Sequence, residues 1–217
     1  RILSLVLIVF IARHLGEVGL GKYSFVFAFV GLFSLLSDFG SSLYLTREIS
    51  RDKSLTKEYL GKVFAFKLIA GLIVVLLPFI FIIFTNQTFE IKIGVLLASI
   101  AMFMYYIAFP LRSVVNAFEE QAYHSLYILI ERIIAAGLGL FVLYKGLGLL
   151  TFFAVLVLSN ASSFFLLYKL VSKKIIKLEP KFDLEFIKSL LKNSSPFWLT
   201  TVFLTIYFKI DTVMLSF

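Results

Sequence analysis

The chain has 217 residues, 60% of them hydrophobic and 16% charged, against roughly 45–50% and about 25% in soluble domains; its apolar residues gather into runs that a soluble core of this size cannot bury. With no cysteine, disulfides, thiolate metal sites and a cysteine nucleophile are excluded, and a metal site on the two histidines, His14 and His124, would need carboxylate help, so no metal or cofactor is expected. The net charge of +8 would suggest nucleic acid in a soluble protein, but here it reads as the basic loops of a membrane protein, and no nucleic-acid partner is expected.

A spanning helix needs about 20 mostly apolar residues. In chain order that rule marks residues 2–12, too short to span alone, then 23–45, 63–84, 91–111, 123–144 and 149–171. A seventh segment starts near Pro196 and runs to Phe217. The fold class is therefore all-α integral membrane, a multi-pass helical bundle. The opening at Arg1 and the close inside an apolar run suggest a fragment, with the first and seventh helices truncated.

The connections alternate in charge. The second, fourth and sixth carry Arg47, Arg51, Lys53, Lys57, Lys62, Arg112, Lys173, Lys174, Lys177, Lys181, Lys188 and Lys192. The other three carry only Arg13, Lys22 and Lys145, with Lys92 at a helix start. Basic loops face the cytoplasm, which places the N-terminus there as well. In the last basic connection Asp183 is a candidate N-cap. Phe182, Phe186 and Leu190 follow on one helical face and Lys188 and Lys192 on another, as in a short helix at the membrane surface or packed on other loops.

Charges deep in apolar segments are costly and usually face the bundle interior. Asp38, Glu131 and Arg132 each lie roughly 13 Å inside their helices. They are expected to line one inner polar region, and Asp38 and Arg132 are at matching depth for an ion pair. Lys67 is about one turn inside and can snorkel to the interface. Lys209 and Asp211 form a second polar layer in the seventh segment. Their spacing of two puts them on different faces.

Other motifs carry less. Gly16, Gly19 and Gly21 shape a turn; no strand precedes them and no Gly-Lys-Ser/Thr follows, as a phosphate loop requires. Asn86-Gln87-Thr88 is a formal sequon in a very short loop. Pro78 and Pro110 are candidate kinks. A membrane-embedded transferase would need a loop acid or histidine, for which only His124 beside Glu119 and Glu120 offers itself, so an enzyme is not expected.

Ala12-Arg13-His14-Leu15-Gly16, then Gly19-Leu20-Gly21-Lys22-Tyr23-Ser24, resembles the first external loop of polysaccharide-biosynthesis membrane proteins. These are the O-antigen-type flippases of the multidrug/oligosaccharidyl-lipid/polysaccharide exporter superfamily. Asp38-Phe39-Gly40 and Thr46-Arg47-Glu48-Ile49-Ser50-Arg51 resemble its Asp-x-Gly and Arg-Glu-x-x-Arg patterns. Ser195-Pro196-Phe197 and Lys209-Ile210-Asp211-Thr212-Val213-Met214-Leu215 resemble the start of its helix seven. The resemblance implies two six-helix lobes around a central cavity. Residues 1–172 would form the first lobe, 173–195 the linker with its amphipathic helix, and 196–217 the start of helix seven in the second lobe. It further implies a polyprenyl-pyrophosphate-linked oligosaccharide as substrate, moved across the cytoplasmic membrane by alternating access with a proton or sodium gradient as driver. In that reading Arg132, with Lys209 and Lys67, would receive the pyrophosphate. Asp38, Glu131 and Asp211 would balance charge or bind the coupling ion. A cation-coupled drug antiporter, a peptidoglycan-precursor flippase and a non-transporting scaffold with internal ion pairs remain as alternatives.

Overall fold

The computed structural model describes the backbone of residues 2–34 and 36–214, and the side chains of residues 7–34, 36–120, 122–123, 125–200 and 202–203. Among these residues there are eight α-helices and no strand. They are α1 (Ile2–Ser34), α2 (Ser41–Arg51), α3 (Thr56–Ile83), α4 (Phe89–Ile107), α5 (Phe109–Ala117), α6 (Gln121–Tyr144), α7 (Gly148–Lys174) and α8 (Leu184–Met214), with a 3-10 turn at Lys53–Leu55 before α3.

The helix α1 is two arms. Gly16 has φ 68° and ψ −174°, a left-handed geometry that glycine adopts without Cβ strain. Leu7 and Phe27 line the same cavity, although twenty residues of straight helix would hold them about 30 Å apart. The chain therefore doubles back near Gly16, as the glycine-rich turn between the first two segments predicts.

The second predicted segment, 23–45, is not one helix. It stops at Ser34 and resumes at Ser41, because Phe39 (φ 46°) and Gly40 (φ 71°) are both left-handed and interrupt the i→i−4 ladder. The stretch Ser37-Asp38-Phe39-Gly40-Ser41-Ser42 is rich in residues that bond locally instead of propagating a helix. The fourth segment also divides, into α4 and α5, with Pro110 in the first turn of α5, where its missing N–H costs nothing. Pro78 sits inside α3 without breaking it. In the last part of the chain, the surface helix and the seventh segment are one helix, α8, which continues through Pro196.

Among the described residues five stretches are long and apolar enough to cross a bilayer: Leu7–Ser34, Lys53–Ile83, Phe89–Ala117, Ser125–Tyr144 and Gly148–Lys174. The outward faces agree, since Leu72, Leu76 and Phe81 of α3, Leu129 and Phe141 of α6 and Leu158 of α7 are all exposed, as lipid-facing side chains are. The chain is a multi-pass membrane protein.

Two apolar centres hold the bundle. At the basic end, Leu45 and Ile49 of α2 pack with Leu60 of α3, Leu111 and Val114 of α5, Leu167 of α7 and Leu190 of α8. At the opposite end, Val26 and Val30 of α1 meet Ile82, Val95 and Phe153, beside a cluster of Ile11, Leu143 and Phe152. Between these centres the interior carries polar and aromatic groups rather than a continuous apolar core.

Candidate functional site

A cleft lies between α1, α4, α6 and α7. One compartment, about 240 Å³, is lined by Leu7, Tyr23, Phe27, Arg132 and Phe152 among others. The second, about 280 Å³, is lined by Met102, Tyr105, Tyr106, Ser159 and Asn160 among others. They share Phe27, Glu131, Ala135 and Leu156 as a common wall. Glu131 and Arg132 both line the first compartment, and Glu131 alone of the two lines the second.

Glu131 is held from α7. Ser163 donates its hydroxyl to the carboxylate at 3.3 Å, and Ser159 donates to the Glu131 carbonyl oxygen at 2.9 Å. Asn160 ties the same part of α7 to α4 by donating from Nδ2 to the Ala101 carbonyl at 3.1 Å. The next residue, Arg132, is exposed and makes no ion pair among the described residues.

Asp38 does not pair with Arg132 and lines neither compartment. The break after Ser34 turns it toward α3, where its carboxylate forms an ion pair with Lys67 and accepts a hydrogen bond from the Ser42 hydroxyl. Counting depth along an unbroken helix places Asp38 level with Arg132; the turn removes that equivalence. Lys67 does not snorkel. It is only 2% exposed, and its Nζ also donates to the Ser37 carbonyl at 2.9 Å. The sequence reading starts the helix at residue 63, but α3 begins at Thr56, which puts Lys67 about three turns inside it rather than one.

Arg112, counted from sequence as a loop cation, lies instead beside Glu131, a placement that sequence reasoning missed. It lies in α5 with its side chain 13% exposed and Nη2 3.8 Å from Glu131. Its guanidinium sits over the rings of Tyr105 at 4.5 Å, Phe109 at 4.8 Å and Tyr127 at 4.9 Å. Lys67 reaches the Phe109 ring too, at 5.6 Å. Pro110 was the available signal: a proline that opens a helix places a residue two positions later inside it. The side chains of Lys209, Asp211 and His124 lie outside the described residues.

The basic end is strapped to α3. Lys62 bonds Asp183 at 2.8 Å and Lys57 bonds Glu179 at 3.0 Å. The Lys181 N–H donates to the Gly61 carbonyl at 3.2 Å. Asp183 accepts from the Phe186 N–H at 3.0 Å and so caps the start of α8, as expected. The α1–α2 turn then docks on α8. Phe39 stacks on Trp198 with centroids 5.1 Å apart, and Arg47 lies over Phe197 at 5.5 Å. The Asp-Phe-Gly and Ser-Pro-Phe stretches, far apart in sequence, are neighbours in space.

A family model described as polysaccharide biosynthesis protein matches residues 1–217. Searches of curated proteins and of solved structures find no significant match. A membrane bundle with an interior polar cleft and a family match along its whole extent lead to one assignment: the chain belongs to the polysaccharide biosynthesis protein family, whose general role is in polysaccharide export.

Proposed function

We propose that the chain forms the first lobe of a flippase that moves a polyprenyl-pyrophosphate-linked oligosaccharide across the cytoplasmic membrane by alternating access. Residues 1–172 are that lobe, 173–195 the linker and 196–217 the start of the second lobe, with the basic end and the N-terminus in the cytoplasm. The observation that carries the reading is the cleft shared by Glu131 and Arg132. A guanidinium there suits a pyrophosphate, because its planar fork makes paired hydrogen bonds to phosphate oxygens. The rings of Tyr23, Tyr105 and Tyr106 offer flat apolar surface with polar tips, which suits a saccharide. Glu131 is the candidate for proton or sodium coupling, and Lys209 with Asp211 remains the second polar layer. Lys67 is engaged by Asp38, so its part in this reading is to hold the helix break.

Two rivals make different demands. An antiporter for cationic drugs calls for an acid-dominated cleft, whereas here one carboxylate adjoins one guanidinium. A scaffold calls for closed ion pairs, and Asp38–Lys67 is one. The deciding variant is Arg132→Ala in the full-length protein. Lipid-linked oligosaccharide should accumulate on the cytoplasmic face while protein abundance stays near normal, and Arg132→Lys should restore transport only in part. Undiminished flipping by Arg132→Ala would remove the pyrophosphate role and leave the scaffold reading ahead.

A further inference from the structure

A guanidinium carries five N–H donors, and among the described residues Arg112 places none of them in a hydrogen bond. Its Nε is buried without a partner. The Glu131 carboxylate, 3.8 Å from Nη2, is beyond hydrogen-bond reach. What holds the group is the set of three rings, and these contact the cation without consuming donors. Buried polar groups in folded proteins are almost always paired, so an orphan of this kind asks for a missing partner.

The partner's place is a groove of about 180 Å³ between α2 and α5, lined by Ser42, Leu43, Thr46, Phe109, Arg112, Ser113 and Asn116. Asn116 is one turn beyond Arg112 on the same face of α5, and its Oδ1 is also buried without a partner. Amide orientation is an assignment, and the flipped amide presents Nδ2 to the groove. The Ser113 and Thr46 hydroxyls are already donating to the Ser42 carbonyl, at 2.8 and 2.9 Å. The free capacity in the groove is therefore the Arg112 fork and the Asn116 amide, which together match an oxyanion with several acceptors. Arg112 is five residues from the end of α5, about 8 Å along the axis. At that distance from a membrane surface, the oxyanion a bilayer presents is phosphate.

We propose that this groove binds a phosphate group, held by the Arg112 fork and the Asn116 amide, and delivered as a lipid monoester headgroup or as free phosphate. The site is separate from the cleft side of Glu131 and does not depend on the transport reading. Glu131 stands behind the guanidinium and offsets its charge, so neutralising Glu131 should tighten phosphate binding.

The test uses the full-length protein in nanodiscs of dioleoylphosphatidylcholine, titrated with inorganic phosphate or prepared with increasing dioleoyl phosphatidic acid, with bound probe counted by native mass spectrometry. Wild type should bind one equivalent saturably. Saturation by phosphatidic acid alone identifies a headgroup site, and saturation by inorganic phosphate identifies a free-ion site. Arg112→Gln and Asn116→Asp should each weaken binding at least tenfold, Arg112→Lys less, and Glu131→Gln should strengthen it. Asn116→Asp keeps the shape of the side chain and adds a repelling charge, so it decides the matter if Arg112→Gln does not fold. Absence of saturable binding to wild type would overturn the proposal, since water then fills the groove. So would folded Asn116→Asp protein that binds like wild type.

Discussion

Lys67 and Asp38 close an ion pair across the point where the chain leaves α1 and enters α2. The lysine reaches past the carboxylate to the Ser37 carbonyl at 2.9 Å, so one side chain from α3 grips two consecutive residues of the break. That grip offsets the cost of Phe39, a bulky residue at φ 46° in a region that such residues seldom occupy. Asp38 also lies beside the first turn of α2, where the helix dipole favours a negative charge. The pair therefore fixes the turn that presents Phe39 and Gly40 to α8.

Lys67→Met removes the cation and leaves a carboxylate in a mostly covered site. Breaking such a pair by losing one partner costs about 3 kcal/mol or more. Replacing both partners costs little by comparison, so Asp38→Asn with Lys67→Met should recover most of the loss. Thermal unfolding of the four proteins in nanodiscs closes the cycle. A double variant as unstable as Lys67→Met alone would show that the lysine acts through Ser37 and packing, not through Asp38.

Gly40 should tolerate no larger residue. A Cβ there would lie 2.6 Å from the Ser194 carbonyl oxygen and 2.8 Å from the Trp198 nitrogen, and the left-handed φ adds roughly 1–2 kcal/mol for any L side chain. Gly40→Ala is expected to push α8 off the turn and unstack Trp198 from Phe39. Trp198 is the single tryptophan of these 217 residues and reports the event directly. Its emission should shift to the red once any tryptophan elsewhere in the full protein is replaced. Unchanged emission would mean that α8 moves with the turn.

What sequence could reveal divides along physical lines. Long apolar runs mark spans because hydrocarbon thickness sets their length, and the helices follow them. Asp183 as the α8 cap and the reversal near Gly16 were also legible, because each rests on local backbone chemistry. The Lys67–Asp38 pair was not, since it depends on a helix break whose local signal, Asp-Phe-Gly, sits inside an otherwise apolar stretch. Arg112 escaped for a related reason: its burial is set by Tyr127 and Glu131 of α6, a tertiary fact that loop counting cannot register. Continuity of α8 through Pro196 likewise overrides the local helix-breaking tendency of proline.

The strap at the basic end should respond to acid. The Asp183 carboxyl is held below the usual carboxylate range, first by the hydrogen bond from Lys62 and next by the Phe186 N–H. A carboxylate with a depressed folded value contributes stability above its unfolded value of about 3.9 and loses it as pH falls through the folded value. The contact between residues 175–183 and α3 should therefore be tight at neutral pH and loosen only in acid below about 4. Spin labels at Ser54 and Lys177, both solvent-accessible sites, would show a narrow distance distribution at pH 7 and a broad one at pH 3. Lys62→Met should be broad at both. A wild-type distribution that stays narrow at pH 3 would assign the strap to the Lys181–Gly61 backbone bond instead.

The orientation of the bundle follows from charge and can be read with two cysteines. At one end Lys53, Lys57, Lys173, Lys174 and Lys177 are exposed to solvent. At the other end the cations are fewer, namely Arg13, Lys22, Lys92 and Lys145, and Lys22 is paired with Glu90. The excess of lysine is expected to face the cytoplasm. Gln87 and Lys177 lie at opposite ends of the bundle, both exposed, and no cysteine in these residues competes for label. On intact cells an impermeant maleimide should modify Gln87→Cys and leave Lys177→Cys untouched, and permeabilisation should make the second reactive. Labelling of Lys177→Cys on intact cells, with Gln87→Cys protected, would invert the orientation and place the Arg112 groove at the outer surface.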